Sequence, residues 1–326
     1  MKLLALAGIA FALTGAAPPA HRHRAPAAGL KFVDLIPAFD RIWNETKDLP
    51  DDKRVEAFEA KFAKVLPGFY SAERTKDYQT PDQHRAQVLR GLKQYPDRRA
   101  GIQRVSRQFQ SLVAPARKQF ESVFGPMRGY PPIYLVDSFR EFDGGTRDLP
   151  EGNRLLFGAD MIDELYKDKP IKPFIEHELF HLLHHRTFPE CDPVWCNLWE
   201  EGLATYVASK LNPNASDQAL GLTIPAPLRP AVEAHRQEAI CAVRSRLESK
   251  DPKVYAPLFM GGGKPVSDNL PQRFGYYVGL LVVSDVGRHR TLKQLAALTP
   301  DQVHRLVEQS LEHMATCPTA MPPKLL

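Results

Sequence analysis

Phe174-Ile175-Glu176-His177-Glu178-Leu179-Phe180-His181-Leu182-Leu183 sets two histidines four residues apart, with a glutamate directly after the first. Pro170 and Pro173 precede the pair, and a helix tolerates proline in its first turn, so the sequence predicts a helix from there to about Arg186. Residues four apart on an α-helix lie nearly above one another. Both imidazoles therefore share a face and can grip one Zn²⁺ at about 2.0–2.1 Å each. Glu178 projects beside that position, outside the ligand set and within reach of a water there. Leu179, Phe180, Leu182 and Leu183 make the rest of the helix apolar, as burial requires. His184 and His185 extend the histidine run. His184 shares the ligand face but a further turn carries it away, and His185 reads as a supporting or surface residue.

A catalytic zinc takes three protein ligands and keeps a fourth position open. Downstream stands Leu198-Trp199-Glu200-Glu201-Gly202-Leu203-Ala204-Thr205-Tyr206, on a second helix predicted to start near Trp199. Together with HExxH this run resembles the gluzincins, zinc peptidases whose third ligand is a Glu on a second helix. Locally it is similar to their aminopeptidase branch, where that Glu opens a Glu-Gly-apolar-Ala-Ser/Thr-Tyr run, and to predicted bacterial zinc-dependent proteases. The resemblance spans Glu176 to Lys210 and extends to none of that family's other domains.

The resemblance implies zinc as cofactor, held by His177, His181 and Glu201, with Glu178 as general base and a peptide as substrate. The family's customary spacing lands on Glu200 instead. Adjacent helical side chains point about 100 degrees apart, so only one of the two can face the metal. The resemblance also implies a Tyr or His that donates to the oxyanion. Tyr276 and Tyr277, in Arg273-Phe274-Gly275-Tyr276-Tyr277-Val278-Gly279, are the candidates, and Arg273 is a candidate for a substrate carboxylate. An exposed edge strand is implied ahead of the metal helix, and Leu155 to Gly158 is the apolar run in that place. The Gly-x-Met-x-Asn exopeptidase motif is missing, which tilts the expectation toward an endopeptidase or an unusual specificity.

Lys2, the apolar run Leu3 to Leu13 and the small residues Thr14 to Ala17 have the form of a secretory signal over residues 1–20, too short to span a bilayer. Residues 21–30, rich in Ala and Pro and carrying His21 and His23, read as a flexible leader. No later stretch has the roughly 18 consecutive apolar residues of a transmembrane helix. The expectation is a periplasmic or secreted protein with no stable membrane insertion. Cys191, Cys196, Cys241 and Cys317 then predict disulfides in any of three pairings, a Cys191–Cys196 bridge among them. The net charge of +5, from 43 basic and 38 acidic residues, is mixed along the chain. Its densest basic stretch, Arg98, Arg99, Arg104 and Arg107, reads as a solvated helix face; no stacking aromatics accompany it, so no nucleic-acid partner is expected. Gly261-Gly262-Gly263-Lys264 lacks the spacing of a phosphate loop and reads as a flexible loop.

A chain of 326 residues with 43% hydrophobic residues can bury one large core. The sequence predicts one catalytic domain over 31–320 with a helical part over 31–125. Val55/Phe58/Phe62/Val65, Ile102/Val105/Phe109/Leu112 and Phe120/Val123/Phe124 are three apolar stripes at helical spacing there, and Pro67-Gly68 ends the helix of the first. Ile133 to Val136 and Leu155 to Phe157 read as strands, Gly144-Gly145 as a turn, Asn212 to Pro230 as loop, and Phe274 to Val286 and Asp301 to Met314 as helices. The expected fold is α+β, mainly α, a zincin-like core with a small sheet and the metal site between two helices. The expected function is an exported zinc-dependent peptidase. The alternatives are a non-catalytic zinc-binding protein retaining the helix pair and a metallo-amidase acting on a cell-wall amide.

Overall fold

The computed structural model describes residues 29–318 except 168, 190 and 262. The expected signal peptide and most of the expected leader lie outside the described residues.

β1 (Phe32–Asp34) leads through α1 (Ile36–Thr46), α2 (Asp51–Phe62) and the short α3 (Ala72–Thr75) into α4 (Pro81–Phe124). A capping box starts α4: the Thr80 hydroxyl accepts from the Gln83 N–H, and the Gln83 side chain accepts from the Thr80 N–H. The stripes at Ile102 and at Phe120 both run along this one 44-residue element. Pro96 and Pro115 sit inside it. An interior proline costs a helix about 3 kcal/mol. Leu92, Tyr95, Ile102, Phe109 and Phe120, each fully buried, offset that at roughly 1.5–3 kcal/mol apiece. The basic stretch on α4 is less solvated than its composition suggests. Arg98 bonds Asp160 at 3.1 Å, Arg99 bonds Asp40 at 2.6 Å, and Arg104 bonds Asp163 at 2.5 Å.

The sheet is built from β1, β2 (Ile133–Val136), β3 (Gly144–Leu149) and β4 (Gly152–Gly158), in the order β1-β2-β4-β3. β2 is parallel to both β1 and β4, and β3 pairs antiparallel to β4 with Thr146 opposite Leu155. The stretch 155–158, expected at the edge, is interior. Its Leu155, Leu156 and Phe157 are buried, as a strand flanked on both sides requires. The edge is β3, and Gly144-Gly145, expected as a turn, begins it. Its polar, half-exposed side chains suit an open edge.

The remainder is helical: α5 (Ala159–Tyr166), α6 (Lys172–His184), α7 (Val194–Leu211), α8 (Leu228–Ala234), α9 (Arg236–Arg244), and α10 (Pro252–Tyr255) running into a π-helical turn, Ala256–Met260. Then follow α11 (Gly275–Val286), α12 (Leu292–Ala296) and α13 (Pro300–Met314). One continuous apolar core runs from Leu30 to Leu311. The fold is thus α+β and mainly helical, with one four-stranded sheet. No described helix is long and apolar enough to cross a membrane. The cysteines pair as Cys191–Cys196, across the connector from α6 to α7, and Cys241–Cys317, joining α9 to the residues after α13.

α7 is the central helix. It begins at Val194, ahead of the expected Trp199, and is buried on almost every face, which is what a core helix hydrophobic all round should be. It meets α11 backbone to backbone. A Cβ on Gly202 would stand 2.4 Å from the Gly279 carbonyl carbon, and one on Gly279 would stand 2.5 Å from the Leu198 carbonyl oxygen. Gly279→Ala should therefore destabilise the fold by about 1–3 kcal/mol, the usual range for an overpacked core. Urea unfolding with an unchanged midpoint would contradict this close crossing.

Candidate metal centre

α6 carries His177 and His181 one turn apart, and α7 brings Glu201 against them. His177 Nε2 and His181 Nε2 lie 3.0 Å apart, and Glu201 Oε2 lies 3.3 Å and 3.4 Å from them. A tetrahedral ion with ligands at about 2.0–2.1 Å separates neighbouring donors by about 3.3 Å. These three atoms therefore stand at the spacing of three corners around one cation. Glu201 Oε2 is buried and takes part in no hydrogen bond. A buried oxygen so placed needs a partner, and a cation between the three donors would supply it. The residues present can hold a metal ion.

The charges agree with this geometry. Burial works to raise the Glu201 pKa, but His181 and His177 beside it hold the carboxyl well below its ordinary value. Burial works against a charged His181, yet Glu201 pushes it up to about 9. Glu200 points elsewhere, its Oε1 3.5 Å from His185 Nε2. The two glutamates are thus shared out: Glu201 meets His177 and His181, and Glu200 meets His185 just past the end of α6. His184 joins neither group. It is buried, stacked 5.1 Å from Phe180 and 4.6 Å from Phe188, with no hydrogen-bond partner for either ring nitrogen. Among the described residues one other trio of His and Glu could hold a metal ion, Glu248, His304 and Glu308. There His304 spends its two nitrogens on different carboxylates, Nε2 at 2.6 Å from Glu248 and Nδ1 at 3.8 Å from Glu308.

The donors open into a cleft of about 570 Å³. Glu178 lines it and is 8% exposed. Burial raises its pKa, opposed by His177 and His181. The edge strand comes right up to it: a Cβ on Gly144 would lie 3.0 Å from the Glu178 carboxylate and 2.7 Å from Phe174. Only glycine lets β3 pass this close. Of the two tyrosines, Tyr276 lines the cleft, its ring 6.5 Å from that of His177. Burial, then the charge of Glu201, raises its pKa, so its hydroxyl keeps the proton. Tyr277 does not reach the cluster. The next helical position turns its hydroxyl to Glu233 at 2.7 Å, with Arg229 at 3.2 Å. Arg273 lies in the cleft over the Tyr276 ring.

Other lining residues carried no signal in the sequence. Asp143 and Gly144 fall in a polar stretch without periodicity. Tyr255 and Phe259 belong to α10 and its π-helical turn, too short for a pattern, although such turns gather at functional sites. No protein-family profile, curated protein or solved structure matches the chain.

His177→Ala and Glu201→Ala should each lower metal content from about one ion per chain to near zero, whereas Glu200→Ala should retain it; elemental analysis after dialysis distinguishes them. The reverse order for the two glutamates would move the ligand to Glu200. A second expectation concerns His184, whose pKa burial lowers from 6.5 to about 3. A folded-state value below the unfolded one gives stability that is complete above about pH 6.5 and drains away as pH falls toward 3. His184→Phe should flatten that limb. Guanidinium midpoints at pH 7 and pH 4.5 that fall equally in both proteins would contradict it.

Proposed function

We propose that this chain is a zinc-dependent hydrolase that cleaves peptide bonds, with a zincin-like core of the gluzincin type. The observation that carries the reading is a buried glutamate, Glu178, set beside a three-donor cluster in an open cleft. A structural zinc site is closed by four protein ligands and has no use for a base. Here three donors converge, and the acid next to them is not one of the three.

His177, His181 and Glu201 would hold the zinc, which when bound would supply a Lewis acid for water and for the substrate carbonyl. Glu178 takes the proton from the attacking water and returns it to the leaving amine. Its apolar surroundings, Phe174 among them, raise its pKa above the ordinary carboxylate value, which favours a carboxyl that can release that proton as well as accept it. Tyr276 faces the cluster with its proton kept, and donates a hydrogen bond to the carbonyl oxygen as negative charge develops there. β3 offers its unpaired main-chain groups to an extended peptide, which adds as a further strand. Gly144-Gly145 keep that edge free of side chains beside the scissile bond. Two disulfides favour an oxidising compartment, so we place the protein outside the cytoplasm, secreted or periplasmic.

The test is Glu178→Gln, which keeps the size of the side chain and removes its basicity. Zinc content should stay near one per chain while cleavage of a mixed peptide library, followed by mass spectrometry, drops at least about 100-fold. A variant that cleaves as well as the parent would refute the assigned base. A parent loaded with zinc that cleaves no peptide would favour the non-catalytic or amidase alternative.

A further inference from the structure

Two guanidinium groups line the cleft, and they are differently engaged. Arg147 is paired with Glu141 at 3.4 Å. Arg273 makes no ion pair among the described residues. The carboxylate that faces it, Asp143, is already occupied: its Oδ1 accepts from the Gly144 N–H at 3.0 Å and its Oδ2 from the Tyr166 hydroxyl at 3.3 Å. Two other inward-turned arginines have acids on them: Arg74 has Glu141 at 2.6 Å and Arg98 has Asp160 at 3.1 Å. A guanidinium carries five donors in a planar fork suited to a carboxylate. In Arg273 that fork is turned into a cleft and left without its usual partner.

The backbone is bent to put it there. Arg273 has φ +66°, a left-handed conformation that non-glycine residues seldom adopt. Its N–H is tied to the Pro257 carbonyl at 2.9 Å, and its own carbonyl receives the Tyr276 N–H at 3.1 Å. Strain of this kind survives where the surroundings over-determine it, and it gathers at ligand sites. The side chain is also held: its Cζ stands 4.6 Å from the centre of the Tyr276 ring, which in turn stands 6.5 Å from the His177 ring. A cation resting on an aromatic face keeps its N–H edges free. One ring thus separates the guanidinium from the metal cluster, a reach of about three residues of extended chain at roughly 3.3 Å each.

We propose that Arg273 is the specificity-determining anchor for a substrate carboxylate, so that the chain acts on peptides carrying a carboxylate within about three residues of the bond it cuts. The substrate class rests on the peptidase reading above; the carboxylate site itself does not. The carboxylate comes either from a free C-terminus or from an acidic side chain, and both present the same two oxygens to the fork.

Binding of four probes to the whole chain in a Glu178→Gln background, by calorimetry, decides between these. N-acetyl-diphenylalanine is compared with its C-terminal amide, and the amide of N-acetyl-phenylalanyl-glutamic acid with that of its glutamine counterpart. Each is measured with zinc and after chelation, so that a carboxylate held by metal alone is recognised as such. The charged member of at least one pair should bind about 10- to 100-fold more tightly in chelated protein, the range expected of a charge-assisted bond. Discrimination in the first pair assigns the C-terminus, and in the second the side chain. Arg273→Gln should bring the discrimination below about threefold while leaving the neutral probes unchanged; a merely structural role would weaken all four alike. Should that variant not fold, Arg273→Lys decides, since it keeps the charge and loses the fork: a loss of about tenfold supports the anchor. No discrimination in either pair, or discrimination untouched by the substitutions, overturns it. A chain that cleaves no peptide yet discriminates in this way loses the peptidase reading and keeps the anchor. One that cleaves and binds charged and neutral peptides equally keeps the peptidase and loses the anchor.

Discussion

A carboxylate buried between two imidazoles is the interaction on which the architecture turns. Glu201 is anionic in a place where burial opposes charge, and without hydrogen bonds of its own. An isolated buried carboxylate is costly enough that a protein ordinarily neutralises or pairs it. Here the nearest positive charge is borne by His181, raised to about 9 to match. A divalent cation between the same three atoms would answer both anomalies together. It would replace a strained sharing of protons and leave the imidazoles neutral, as ligands must be.

Such a cluster demands that two helices hold their relative height and phase, and both ends of the pair are fastened. α6 and α7 run antiparallel. At one end Glu176, fully buried, takes Lys172 at 2.9 Å and a hydrogen bond from the Asn212 side chain, joining the start of α6 to the end of α7. At the other end the Cys191–Cys196 bridge closes the connector. A cross-link over so short a loop removes about 2 kcal/mol of chain freedom from the unfolded state, and it also ties the start of α7 to the residues after α6. Between these fastenings Gly202 lets α11 press directly on α7, which stops α7 from rotating Glu201 out of phase.

The parts of the site that were legible in the sequence are those governed by helical phase. His177, Glu178 and His181 obey a four-residue repeat, and Glu201 was separable from Glu200 because the local run around it carried more information than its distance from His181. The same 100-degree step explains why Tyr276 and Tyr277 could not be separated in advance. Nothing in the chain before α11 says which of two adjacent tyrosines its neighbours will bury toward Glu233. The edge strand was misplaced for a related reason. β4 has the apolar residues that mark a strand, while Gly144-Gly145-Thr146-Arg147-Asp148 is polar because it is an edge, and so it lacked the signal. The apolar stripes at Ile102 and Phe120 did not reveal that they belong to one 44-residue helix, since the burial that compensates its interior Pro96 and Pro115 is supplied by residues distant in the chain. The Cys241–Cys317 pairing spans 76 residues and is likewise a product of the folded topology.

The long N-terminal half, which contributes nothing to the three donors, matters through the loop that launches β3. That loop, Asp137 to Asp143, contains Phe139 and Arg140 at φ +52° and +68°, a left-handed pair with no glycine to ease it. It is held from the helical side. The Tyr70 hydroxyl donates to the Asp137 carbonyl at 2.5 Å, and Arg74 grips Glu141 with two bonds of 2.8 Å and 2.6 Å. Phe139 sits against Gly91 of α4, where a Cβ would stand 2.2 Å from its ring. From α5, Asp160 accepts the N–H groups of Ser138 and Arg140. Two strained residues at about 1–3 kcal/mol each are affordable only under this many restraints, and the result is a fixed direction for Asp143 and Gly144. The cleft is therefore assembled from two sources: α6 and α7 present the three candidate donors and Glu178, and α1 to α4 aim the strand that passes within contact of that glutamate. A change in the helical half far from the cluster can thus alter the site by moving its wall, without substituting any of the three candidate donors.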